Sequence, residues 1–153
     1  MHPYVYNSSQ LLPVNINEAW DFFSAPGNLA RITPPQLKFK VLSGSTGNEI
    51  YEGMIIDYNV SPLLGIPLHW QTEITRVQKP HLFIDVQVKG PYHTWQHQHR
   101  FHSVDAGTLM EDKVKYVLPF GIAGRWAHRL IVRKKVEDIF AYRRKIIGEM
   151  FGK

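Results

Sequence analysis

Two imidazoles, His97 and His99, stand two residues apart in the segment Thr94-Trp95-Gln96-His97-Gln98-His99-Arg100-Phe101, and a carboxylate, Asp112, follows on the next apolar segment. Four outcomes are open to such a set. The groups can simply satisfy one another, since a buried polar group needs a partner. They can orient a ligand inside an apolar pocket. A His–Asp pair can act as a general base, the carboxylate fixing the imidazole tautomer. Two histidines and one carboxylate can also hold a transition metal.

Which outcome is possible depends on the faces of two strands. With a two-residue period, Trp95, His97, His99 and Phe101 share one face, while Thr94, Gln96, Gln98, Arg100 and His102 share the other. The Trp and Phe mark the inward side, so both histidines are predicted to point inward. On the next strand Met110, Asp112, Val114, Tyr116 and Leu118 oppose Glu111, Lys113 and Lys115. Asp112 and Tyr116 therefore point inward too. A hairpin turning at Ala106-Gly107 brings Asp112 beside His99 to Phe101.

The rest of the chain reads as the frame for that wall. Tyr4 to Leu12 predicts a strand closed by Pro13, and Asn15 or Asn17 can cap a short helix carrying Trp20, Phe22 and Phe23. Pro26-Gly27 interrupts it before a second helical piece at Asn28 to Ile32, and Thr33-Pro34-Pro35 predicts an extended loop. Period-two segments follow at Leu37 to Val41, Met54 to Val60, Leu68 to Val77, Leu82 to Val88, Tyr92 to Val104 and Thr108 to Leu118. Gly44 and Gly47 are turn positions, and the Ser61 to Pro67 stretch is a candidate rim. Short turns between these strands imply an antiparallel meander.

From Ala123 to about Phe151 no proline interrupts, and Val132, Val136, Ile139, Phe140, Ile147 and Met150 recur at helical spacing. Such a helix is on the order of 40 Å long. A meander of six to seven strands and one long helix bury each other best when the sheet curls around the helix, leaving room for a pocket. The expected class is α+β, as one domain over residues 1–153. Tyr58, Trp70, Trp95, His97, His99, Phe101, Asp112 and Tyr116 are the candidate pocket-lining residues. Trp126 and Phe140 read as packing residues of the helix.

Composition narrows the function. No cysteine is present, which excludes a disulfide framework, a thiolate metal site and a thiol nucleophile. The start lacks the pattern of a secretory signal and no apolar stretch approaches a membrane span, so cytoplasmic residence is expected. The net charge of +5 gathers late in the chain, at Arg125, Arg129, Arg133, Lys134, Lys135, Arg143, Arg144, Lys145 and Lys153. These read as the solvated face of the last helix. No strand interleaves basic and aromatic residues as RNA reading requires, and no phosphate loop or nucleophile elbow occurs.

The element order resembles the helix-grip superfamily of START-like, birch-pollen-allergen-like and polyketide cyclase/dehydrase-like proteins. The stretch from Gly90 to Phe101, with Thr108, Asp112, Tyr116, Pro119 and Gly121, looks like a bacterial ligand-binding START-like subgroup, which sometimes accompanies epimerase-like domains. The resemblance implies a cavity for a hydrophobic molecule between sheet and helix, but no single activity. The first expectation is binding or carriage of a small apolar molecule without a cofactor. An enzyme of the cyclase or dehydratase type would use His97, His99 and Asp112, the same trio that a metal would take. An interaction module would use the basic C-terminal helix against an anionic surface.

Overall fold

A computed structural model describes residues 3–43, 49–61 and 66–151. The strands are β1 Tyr4–Leu12, β2 Lys40–Ser43, β3 Ile55–Val60, β4 Leu68–Gln78, β5 Leu82–Lys89, β6 Thr94–Val104 and β7 Gly107–Val117. They form one antiparallel sheet in the order β1-β7-β6-β5-β4-β3-β2. The chain thus runs as a meander from β2 to β7, and β1 closes the far edge against β7.

Helix α1, Ile16–Phe23, follows β1 and is capped by Asn15, whose side chain accepts from the Glu18 amide. Its Trp20 meets Phe83 and Phe101 edge-on, and Phe23 lies 6.0 Å from Phe101, so this helix seals one end of the sheet's inner face. A 3-10 turn, Pro26–Ile32, comes next. Pro35–Leu37 is a second 3-10 turn rather than extended chain, and Lys38 then takes a left-handed conformation. Strand β2 accordingly begins at Lys40, and Leu37, expected on the strand, is buried in the turn before it. The expected turn at Gly44 and Gly47 and most of the Ser61 to Pro67 rim lie outside the described residues.

The β6–β7 hairpin turns where the sequence places it. Gly107 has φ +139° and a Cβ there would stand 2.1 Å from the Leu12 carbonyl, so the turn needs glycine both for its dihedral and for its contact with β1.

The C-terminal helix starts at Gly121, two residues before the expected point: α2 Gly121–Ala127, a π turn His128–Val132, then α3 Arg133–Phe151. Gly124, His128, Val132, Val136 and Phe140 all turn inward at spacings of four. In an α-helix of ~3.6 residues per turn each such step overshoots by about 40°, so the stripe would wind off the sheet. The wider π turn absorbs the excess and returns the inward face to register. Among the strands, the α3 backbone approaches β1 most. No helix among the described residues is long and apolar enough to cross a membrane.

Candidate functional site

Strands β5, β6 and β7 build the polar wall. His99 pairs directly opposite Asp112, and His97 opposite Val114. His97 Nε2 donates to Asp112 Oδ1 at 2.8 Å, so Asp112 bonds diagonally to the histidine one step further along β6. His99 Nε2 donates instead to Asp85 Oδ2 of β5 at 2.7 Å. The two imidazoles stack 3.7 Å apart, and Phe83 stacks on the other face of His99 at 3.9 Å. His97, His99 and Asp112 are all buried, as the two-residue period predicts.

The fifth member comes from the helix. Arg143, expected on the solvated face, is only 7% exposed, and its Nη2 stands 3.5 Å from Asp112 Oδ1. The correction has a plain origin: Arg143 occupies the inward stripe formed with Val136, Phe140 and Ile147. Its guanidinium lies 5.7 Å from the ring centres of both Phe23 and Phe140. Arg144 and Lys145 beside it are exposed as expected.

Burial pushes the Asp112 carboxyl up, but the Arg143 guanidinium and the His97 bond outweigh it and hold the group well below the usual carboxylate range. Burial, reinforced by neighbouring His97, lowers His99 to about 4 against the opposing pull of Asp85. His99 is therefore neutral at pH 7. With Nε2 donating to Asp85, its Nδ1 is an acceptor, and that atom has no hydrogen-bond partner among the described residues. Arg143 Nε is a buried donor in the same condition, and Nη2, although it faces Asp112 Oδ1 as an ion pair at 3.5 Å, makes no hydrogen bond among the described residues.

Histidine–carboxylate pairs are a habit of this sheet. His69 bonds Asp57 and His102 bonds Glu111, each at 2.7 Å, on partly or fully exposed positions. Pairing alone is thus no mark of chemistry. The inner set differs in its burial, its guanidinium and its unspent polar atoms. As to a metal, the described cluster of ligand atoms is Asp85, His97 and His99, within 4.8 Å of one another. Asp112, expected as the carboxylate ligand, is instead tied to Arg143, whose positive charge opposes a cation nearby.

The remaining predicted residues divide between two places. Phe101 is core, buried among Trp20, Phe23 and Phe83. Tyr58 packs on Phe39, and burial, with Asp85 next, raises its hydroxyl pKa. Trp70 and Trp95 meet edge-on at 5.3 Å, and Tyr92 lies 4.7 Å from Trp95 and 5.6 Å from Trp70. These three rings are only partly covered. Tyr116 also joins Trp95, and its hydroxyl bonds His128 Nε2 at 2.8 Å, fixing β7 to the π turn; burial first of all raises its pKa to about 12. Trp126, read as a packing residue, is instead exposed, while Phe140 packs as expected.

Asp85, Tyr92, His128 and Arg143 extend the predicted site. Apolar alternation on β5 favours Leu82, Ile84 and Val86, which hides Asp85 on the face that Phe83 turns inward. Arg143 was detectable through its place in the apolar stripe of α3.

The sequence matches no protein-family model and no curated protein. Solved structures do share its shape. A protein of Chromobacterium violaceum superposes with a TM-score of 0.73 at 10% identity, covering 98% of this chain and 99% of that one. The chain has the helix-grip fold. Ginseng major latex-like protein 151 of Panax ginseng gives 0.69 at 12% identity over 97% of both chains. A Thalictrum norcoclaurine synthase point mutant, in complex with a transition-state analogue, gives 0.65 at 14% identity over 97% of this chain and 96% of that one. The expected helix-grip architecture of six to seven strands and a long C-terminal helix is present in this chain, with seven strands.

Proposed function

We propose that the protein binds a small, mostly apolar molecule carrying an oxygen-bearing end, such as a carboxylate or hydroxyl. The observation that carries this reading is the juxtaposition on one inner face of partly covered aromatic rings and buried, unspent polar atoms. Trp70, Tyr92 and Trp95 offer an apolar wall. On the same strand as Trp95, His97 and His99 lead to the donors of Arg143 and the acceptor His99 Nδ1. A buried donor left without an acceptor costs about 1–3 kcal/mol, so a ligand oxygen that meets it gains affinity and orientation together. Tyr58, Phe101, Asp112 and Tyr116 frame the site in this reading.

Native mass spectrometry of protein purified without detergent, followed by titration with a fluorescent fatty acid, tests it. The expected result is one molecule bound per chain, with affinity lowered about tenfold by Trp95→Ala. Trp126→Ala, on the outer surface, is expected to leave the affinity within about twofold. No binding of any apolar probe, or equal losses in both variants, would remove the proposal. A second reading keeps the same residues as an enzyme: each inner imidazole is held by a carboxylate, the arrangement a general base requires. A co-purified molecule whose mass changes on incubation with the protein would move the assignment there.

A further inference from the structure

Away from the inner site, the start of the C-terminal helix exposes an unusual run of large apolar side chains. Phe120 is 84% exposed, Ile122 66%, Trp126 57% and Leu130 71%. Ile122, Trp126 and Leu130 follow at spacings of four, so they line one side of the helix. Arg125, Arg129 and Arg133 repeat at the same spacing and are exposed too. None of these three arginines has an ion-pair partner among the described residues. From Pro119 to Val136 the chain contains no aspartate or glutamate. The three arginines border an open cleft of about 510 Å³ with Tyr4, Trp126 and His128.

We propose that this segment docks the protein onto an anionic lipid surface, a binding activity separate from the inner site. Charge complementarity selects the partner: a wholly cationic stripe wants a field of anions, and a lipid headgroup layer supplies phosphates at high density. The apolar residues select lipid over an acidic protein. They protrude along the same turns as the arginines, so one face meets charge and hydrocarbon together, as the boundary of a bilayer does. Trp126 and Arg129 already stack, with the guanidinium 5.5 Å from the ring centre, an amphipathic unit suited to the headgroup layer. The helix lies on the surface in this arrangement and does not span it.

The test is co-sedimentation of the full chain with phosphatidylcholine vesicles, with and without one-third phosphatidylglycerol, at several salt concentrations. The chain is expected to bind the anionic vesicles, to ignore the neutral ones, and to show a blue shift in tryptophan emission that Trp126→Ser removes. Ile122→Ser with Leu130→Ser is expected to weaken binding about tenfold, and Arg125→Glu with Arg129→Glu about thirtyfold or more. Lys113→Glu with Lys115→Glu makes the same charge change on the exposed side of β7 and is expected to cost far less. All these side chains are exposed, and an unchanged unfolding midpoint verifies each fold. Equal losses in the two charge-reversal pairs would reduce the effect to bulk attraction of a basic protein and overturn the proposal. Unchanged binding after Ile122→Ser with Leu130→Ser would also overturn it, as would capture by poly-glutamate without capture by vesicles.

Discussion

Arg143→Met is expected to destabilise the fold by about 3–5 kcal/mol, the cost of leaving a buried carboxylate without its cation. Methionine has a similar length and packs well against Phe23 and Phe140, so little of the loss comes from volume. What remains is Asp112, buried, with the bond from His97 as its chief support. Adding Asp112→Asn to Arg143→Met is expected to recover most of the loss, because an amide can still accept from His97 and needs no counter-charge. Denaturant unfolding of the parent, both single variants and the double variant measures the coupling. A single Arg143→Met variant within about 1 kcal/mol of the parent would show that Asp112 does not depend on the guanidinium.

Acid is expected to weaken the protein in two successive windows. His99 is neutral when folded and its pKa is lowered to about 4, whereas in the unfolded chain it titrates near its ordinary value of 6.5. Between those values the unfolded state binds the extra proton, so stability rises with pH and is lost as pH falls. The gap amounts to about 3 kcal/mol across the window from pH 6.5 to 4. Asp112 acts lower. Its folded pKa lies below the ordinary carboxylate value, so its contribution is complete above about pH 4 and is lost only as pH falls further. His99→Gln, which can still donate to Asp85, is expected to flatten the upper window and leave the lower one in place. Denaturant midpoints measured from pH 7.5 to 3 decide this, and a flat parent profile between pH 6.5 and 4 would contradict it.

The parts of this site that sequence discloses are those with strict periodicity. Alternation on β6 and β7 places His97, His99, Asp112 and Tyr116 on the inner face, and the Gly107 turn sets Asp112 opposite His99. Asp85 escapes because alternation on β5 gathers Leu82, Ile84, Val86 and Val88 on one face and leaves Phe83 with Asp85, Gln87 and Lys89 on the other, so the pattern favours the face without Asp85. Arg143 escapes for a related reason. A charged residue in a helix is first assigned to solvent, and only its position in line with Phe140 and Ile147 argues otherwise. The helix's exposed apolar start was hidden by the opposite bias, since Trp126 in a helical pattern reads as packing. The π turn is legible only in retrospect, from four successive steps of four residues that an α-helix cannot keep on one face.

In the proposed binding mode a ligand lies against Trp70 and Trp95, inside the sheet, with its oxygen end toward Arg143. The four indole N–H signals of Trp20, Trp70, Trp95 and Trp126 report on it directly in a ¹H–¹⁵N spectrum. On titration with decanoate below its micelle concentration, the Trp70 and Trp95 signals are expected to shift together and saturate at one equivalent, while Trp126 stays in place. Arg143→Met is expected to weaken that saturation. Shifts confined to Trp126, or drifts that never saturate, would contradict the inner site.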